Sequence, residues 1–168
     1  MVKIYFADWN DALNITDDQD AESVMLSHQF CLALRELKRM MEYAGDTAYA
    51  EFIEKEYEQL KEDINRYAWD GKWYARALSS KGNVGTQDSA GSKIYLNAQT
   101  WAVLAGVADG DRLSQVLEAV DSMEQDFGFP LNLPPYPEYD AHVGRMSGML
   151  PGLFELSLIH ISEPTRLG

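Results

Sequence analysis

Two long amphipathic runs, parted by one glycine and one aspartate, set most of what this chain can fold into. Between Ala21 and Ala44 the apolar residues Leu26, Phe30, Ala33, Leu34, Leu37 and Met41 recur at the spacing of one helix face. Gly45 follows as a natural helix stop. Asp46 or Thr47 then caps a second helix, whose stripe is Tyr49, Ile53, Tyr57, Leu60, Ile64 and Tyr67. The opposite face carries Glu51, Glu54, Lys55, Glu58, Lys61 and Glu62, a solvated surface with some opposite-charge pairs. A link this short predicts an antiparallel αα-hairpin.

A second pair of helices is predicted downstream. Asn97 is a good cap for a helix through Val107 with Trp101, Leu104 and Ala105 on its apolar stripe. Gln99, near its start, is placed to reach a ligand. Asp109-Gly110-Asp111 breaks the chain, and a fourth helix to about Asp126 shows Leu113, Val116, Leu117, Val120 and Met123 on one face. Between the pairs, the Asp70-Gly71 turn precedes the aromatic run Lys72-Trp73-Tyr74-Ala75-Arg76-Ala77, and a second turn spans Ser79 to Gly85. That pattern predicts a small β-hairpin excursion from a mainly α fold. Asp70 is read as a turn aspartate, with a catalytic acid between two indoles as the alternative. The acids Asp17, Asp18 and Asp20 are expected near the N-terminus of the first long helix.

The 168 residues carry a net charge of −13, which argues against nucleic acid, because binding phosphate backbones needs Lys/Arg clusters. No apolar stretch is long enough to span a membrane, and the N-terminus lacks the features of a signal peptide. Cys31 is the single cysteine, so no internal disulfide forms, and a soluble, cytoplasmic protein is expected. It lies in an apolar helical run and reads as a small core residue. The segment 127–152 is rich in proline and glycine and predicts a long ordered loop, a common carrier of function. It holds His142 and Arg145, contacts for a hydroxyl or an anion. A metal role for His142 is disfavoured because no second histidine stands at ligand spacing.

Near the N-terminus, Phe6-Ala7-Asp8-Trp9-Asn10-Asp11-Ala12-Leu13-Asn14 sets two carboxylates three residues apart around an indole and an amide. A carboxyl beside a large apolar ring can keep a proton near neutral pH and donate it, and an indole face suits the C–H face of a sugar. An acid with an aromatic platform fits glycoside cleavage, although glycosidases normally add a second carboxylate. The plainer alternative makes Asp8 and Asp11 helix caps and Trp9 a core residue.

Five motifs occur in order: Ala7-Asp8-Trp9-Asn10-Asp11; Glu22-Ser23-Val24; Ala68 to Tyr74 with Arg76-Ala77; Ile94 to Trp101; and Gly144-Arg145-Met146-Ser147 ahead of Pro151-Gly152. Together they resemble the inverting disaccharide phosphorylases of the cellobiose and chitobiose phosphorylase family (glycoside hydrolase family 94). The resemblance implies a partial (α/α) toroid, about two αα-hairpins of a six-hairpin barrel, over residues 1–155. It implies Asp11 as the general acid that protonates the glycosidic oxygen and Trp9 as a wall of the donor-sugar site. Asp8, Gln99, Arg145 and Met149 complete the expected sugar-binding set. Inorganic phosphate would be the co-substrate, attacking from the opposite face, which accounts for a lone acid; no cofactor is implied. Oligosaccharide and phosphate are the expected partners, with a homodimer the candidate assembly of the full-length parent.

Arg145 stands where cellobiose-specific members carry a glutamate, and Met149 where they carry a tyrosine. Both positions lie near the acceptor sugar, so the resemblance does not extend to cellobiose specificity. The family's phosphate-binding histidine and its upstream donor-binding Arg and Asp have no counterparts in this sequence, so a fragment inactive by itself is expected. Residues 156–168 resemble translated sequencing-library adapter and are expected to be an artefactual tail, the alternative being a real strand from Leu156 to Ile161. An inverting hydrolase on the same toroid, or a non-catalytic carbohydrate-binding or helical interaction module, are the other readings.

Overall fold

The computed structural model describes residues 1–148 apart from Ala7, Thr16 and Phe127. Met149 and the tail at 156–168 lie outside the described residues. The chain is mainly helical, and its helices come in two consecutive pairs on either side of an irregular excursion.

Helix α1 spans Val24–Ala44 and α2 spans Thr47–Tyr67. Ser23 begins α1 by accepting the Leu26 N–H at its hydroxyl, and Asp46 begins α2 by accepting the Tyr49 N–H. Gly45 sits between them at φ 79°, a left-handed conformation that disfavours side chains bearing a Cβ. The predicted hairpin is present, and α1 packs most closely on α2 and next on α3.

The predicted start at Ala21 is too early. Glu22–Ser23 is instead a short strand, β2, pairing antiparallel with β1 (Val2–Lys3) on one side and β3 (Ala77–Leu78) on the other. The acids before it do not serve the helix terminus. Asp18 binds the turn at Ser79 and Ser80, with contacts of 2.7–2.9 Å, while Asp20 pairs with Lys3. Those donors from Ser79 and Ser80, together with the Asp20 N–H, hold the Asp18 carboxyl far below the usual carboxylate range.

Helix α1 also buries a different face from the one its apolar spacing indicates. Val24, Met25, Ser27, His28, Cys31 and Leu34 are buried, whereas Phe30 and Met40 are exposed. Ser27 is accommodated because its hydroxyl donates to the Ser23 carbonyl at 2.8 Å. His28 sits edge-on to Tyr74, centroids 4.9 Å apart, and burial pulls its pKa down to about 3, leaving a neutral ring. Cys31 is buried, as expected, with its thiol pushed up to about 12.

Helix α3 runs Leu96–Leu104 and α4 runs Gly110–Asp121. Asn97 is not the cap of α3: Tyr95 holds that position, and Asn97 is buried within the first turn with no partner for its amide among the described residues. Leu104 and Leu117 face solvent, so each stripe is narrower than its spacing implies. Helix α4 stops short of Asp126 because Ser122 caps it and the backbone of Gln125 and Gly128 closes a tight turn.

The helical core gathers Val24, Cys31, Ile53, Tyr57, Ile64, Ala102 and Val116. Each buried branched aliphatic there contributes about 1.5–3 kcal/mol. Across it, Tyr57 donates to the carbonyls of Ala105 or Gly106 at 3.1 and 3.0 Å, and Lys61 pairs with Asp109 at 2.7 Å. A second cluster lies under the loops: Ile4, Leu13, Ile15, Ala77, Val84, Tyr95, Tyr136, Val143 and Met146. It is floored by β4 (Ile94–Tyr95), paired antiparallel with β5 (Asn132–Leu133). The Tyr95 and Tyr136 hydroxyls meet within it.

Candidate active site

The loop from Phe6 to Asn14 is built from successive aspartate and asparagine turns. Asp8 accepts the Asn10 N–H at 2.9 Å, and Asn10 accepts the Ala12 N–H at 2.9 Å. Asn14 then reaches back, its amide donating to the Phe6 and Asp11 carbonyls, each at 3.1 Å. Leu13 and Ile15 plug the loop into the core beneath. What remains outside is Tyr5, Phe6, Trp9 and Asp11.

The two aspartates have opposite surroundings. The Asp8 side chain is wholly buried. Arg76, equally buried, holds it through Nη1–Oδ2 at 2.6 Å and Nη2–Oδ1 at 2.8 Å. The Ser23 hydroxyl donates to Oδ2 at 2.6 Å. Burial pushes the Asp8 carboxyl up, but the Arg76 charge and hydrogen bonds, with Ser23 and the Asn10 N–H, outweigh it and hold the group below the usual carboxylate range. Asp11 is exposed, and its carboxylate has no partner among the described residues. Trp9, 55% exposed, is not a core residue.

A second loop is laid against the first. The Asn14 N–H donates to the Val143 carbonyl at 3.1 Å, and the Met146 N–H donates to the Ala12 carbonyl at 2.8 Å. Gly144 makes this approach possible. At φ 80°, a Cβ there would stand 2.9 Å from the Asn14 carbonyl oxygen. The strap brings Arg145 over the first loop, where Nη2 donates to the Asp11 carbonyl at 3.0 Å. Phe6, Asn14, Tyr139, Ala141, Gly144 and Arg145 line an open cavity of about 370 Å³ at this junction.

Of the sequence-predicted set, Asp11 and Arg145 meet at this exposed junction, and Trp9 is exposed on the same loop. Asp8 and Gln99 lie beneath it and do not reach a ligand-accessible surface. Gln99 is buried, accepting the Tyr74 N–H at 2.9 Å and donating to the carbonyls of Tyr74 and Tyr95 at 2.8 and 3.2 Å. Its amide stitches α3 to the excursion instead of facing a ligand. Met149 lies outside the described residues. His142 is engaged as well: Nδ1 meets Asp17 at 2.8 Å and Nε2 meets the Gly82 carbonyl at 2.9 Å. Both partners are acceptors, so the contacts favour the doubly protonated ring. Burial lowers its pKa, but the Gly82 carbonyl and Asp17 together raise it above the ordinary value. Asp70 is the turn residue expected, receiving the N–H groups of Lys72, Trp73 and Gln87.

Sequence reasoning did not single out Arg76 as a site residue. A charged side chain inside the run Tyr74-Ala75-Arg76-Ala77, flanked by residues suited to burial, was the available signal.

The helical scaffold thus presents an acid, exposed aromatic rings and a guanidinium on two apposed loops. The model of the Glycosyl hydrolase 94 superfamily, catalytic domain, matches residues 1–164, and the chain belongs to that family. It is 40% identical to solabiose phosphorylase of Paenibacillus borealis over 92% of this chain and 21% of that protein. It is 36% identical to 3-O-beta-D-glucopyranosyl-beta-D-glucuronide phosphorylase of the same organism, over 88% of this chain and 20% of the relative. Identity to N,N'-diacetylchitobiose phosphorylase of Vibrio proteolyticus is 29%, over 89% of this chain and 19% of that protein. The chain thus spans about a fifth of the length of these curated relatives.

Proposed function

We propose that this chain forms part of the catalytic domain of a glycoside phosphorylase, cleaving a β-linked di- or oligosaccharide with inorganic phosphate to give a sugar 1-phosphate. The relatives' names supply the reaction class. The observation that carries the assignment to particular residues is the strap at Gly144, which places the Arg145 guanidinium on the carbonyl of Asp11. Asp11 is the general acid, delivering its proton to the glycosidic oxygen as that bond breaks. Trp9 walls the donor sugar. Phosphate attacks the anomeric carbon from the opposite face with inversion, and as an anion it requires no general base. Asp8, Arg76 and Gln99 position the loops without touching sugar.

On this reading the two helix pairs are neighbouring hairpins of an (α/α) toroid. The exposed apolar residues Phe30, Met40 and Phe52 support it, because they are suited to packing on further hairpins. The buried free thiol of Cys31 suits a reducing, cytoplasmic compartment. No helix among the described residues is long and apolar enough to cross a membrane.

The test is phosphate-dependent release of sugar 1-phosphate by the enzyme that the natural reading frame around this segment encodes. Asp11→Asn is expected to slow it by several orders of magnitude, roughly 4 kcal/mol or more in barrier. Turnover that ignores phosphate and yields free sugar would instead mark a hydrolase.

A further inference from the structure

We infer that His142 is a positioning residue for the site: its doubly protonated ring clasps the strap of Arg145 to two neighbouring loops, and the neutral ring lets that end of the strap loosen. The clasp stands on contacts alone; its bearing on turnover rests on the phosphorylase reading.

Three features of the contact lead there. The first is a cradle that holds together without the histidine. Asp18 accepts the Ser79 hydroxyl and the N–H and hydroxyl of Ser80 at 2.7–2.9 Å, so the turn with Gly82 is already tied to the segment with Asp17. The second is a strap that closes on itself. The Ser147 hydroxyl donates to the Gly144 carbonyl at 2.7 Å and accepts the Asp140 N–H at 2.9 Å, while the Asp140 carboxylate accepts the His142 N–H at 2.9 Å. A displacement of His142 is therefore passed along the strap to the Met146 and Asn14 N–H bonds and to the Arg145 bond on the Asp11 carbonyl. The third is the peg between them. The ring sets Nδ1 2.8 Å from Asp17 and Nε2 2.9 Å from the Gly82 carbonyl. A neutral imidazole has one N–H to give, so deprotonation leaves a lone pair facing one of these two acceptors. Asp17 across the contact and Asp140 on the strap both favour the charged ring. Asp18 is committed to Ser79 and Ser80, and Lys81 and Arg145 are the cations nearest in sequence to Gly82 and His142. The ring thus gives up its proton above 6.5, close to neutral pH.

The test follows hydrogen exchange of the Asn14 and Met146 amides by NMR in the 168-residue chain from pH 6 to 9, beside the His142 ring signals. The amide of buried Ile53 in α2 is the internal reference. Protection of Asn14 and Met146, corrected for the intrinsic pH dependence of exchange, should fall by about 3- to 10-fold as His142 loses its proton, the size of one partly exposed hydrogen bond; Ile53 should stay level. Asp17→Asn should move the step down by about one pH unit. His142→Lys keeps a cation with donors for both acceptors up to about pH 10, so it should hold the protection and abolish the step. His142→Phe should show the low protection at every pH. In the enzyme that the natural frame encodes, the fall in kcat/KM that tracks the His142 titration should be absent in His142→Lys. Protection that is level with pH, a step that persists in His142→Lys, or one unmoved by Asp17→Asn each overturns the inference. A strap step with no matching change in kcat/KM overturns the positioning role. A step in an enzyme without phosphate-dependent turnover would sink the phosphorylase reading and spare the clasp; level protection in a working phosphorylase would do the reverse.

Discussion

Replacing Arg76 by methionine tests the buried framework of the site directly. Methionine keeps an unbranched apolar stem of similar reach and removes the charge. In the native fold the guanidinium meets Asp8 at 2.6 and 2.8 Å, with both side chains fully buried. Two unit charges about 4 Å apart at an effective dielectric near 20 attract by about 4 kcal/mol. Breaking a buried pair from one side typically costs about 3–5 kcal/mol, because the remaining charge is left uncompensated. Asp8 would retain the Ser23 hydroxyl and the Asn10 N–H, so the lower end, about 3 kcal/mol, is expected. Urea unfolding followed by tryptophan fluorescence reads this as a midpoint lowered by about 1–3 M at unchanged slope. The pH dependence supplies the sharper criterion. The folded Asp8 pKa lies below the ordinary aspartate value of 3.8, so its contribution is present above that value and lost as pH falls through the folded pKa. Without Arg76, burial dominates and the folded pKa rises above that reference, so acid then relieves the variant. The gap between wild type and variant must therefore be widest near pH 7 and close toward pH 4. A loss under about 1 kcal/mol, or a gap that does not change with pH, would refute the reasoning. Adding Asp8→Leu should recover part of the loss, since an apolar pair leaves no charge stranded.

Gln99→Leu removes three hydrogen bonds to the backbone and leaves the buried Tyr74 N–H unpaired, so about 2–4 kcal/mol of stability should go, read by the same unfolding assay. His28, held at about 3 by burial, is neutral when folded, so its contribution is whole above the ordinary histidine value of 6.5 and falls as pH drops from there toward 3; His28→Phe should flatten that acid limb. His142 runs the other way. Its raised pKa gives stability that is full below 6.5 and lost as pH rises through the folded value, and a histidine NMR titration placing it below 6.5 would rule out the clasp on Asp17 and Gly82.

What was legible in the sequence was the hairpin of α1 and α2 and the pairing order of the helices, because spacing, Asp46 and Gly45 are local signals. What was not legible is mostly polar burial. The apolar stripe of α1 is shifted because Ser27 and His28 join the buried face, Ser27 by donating to the Ser23 carbonyl one turn back and His28 by packing on the Tyr74 ring, distant in sequence. Asn97 looked like a cap, yet Tyr95 takes that place because β4 carries extended backbone directly into the helix. Gln99 looked ligand-directed because a polar side chain near a helix start usually meets solvent; its partners are the Tyr95 carbonyl one turn back and two backbone groups of Tyr74, distant in sequence. The motif at Phe6–Asn14 announced its residue types, but the sorting of its aspartates depended on Arg76, 68 positions from Asp8.

On the proposed reading of Asp11 as the acid, that sorting explains how so short a loop can hold the group in place. An exposed carboxylate contributes nothing to anchoring itself, so the anchoring must come from its neighbours. Asp8 does this from below, where Arg76 and Ser23 tie it to β3 and to the start of α1. The strap does it from the side, where Gly144 allows backbone contact and Arg145 grips the Asp11 carbonyl. The two anchors differ in kind. Arg76 is spent on its partner, so its loss is a loss of fold. Arg145 gives one exposed bond to the Asp11 carbonyl, so its loss loosens the strap and leaves the buried framework intact.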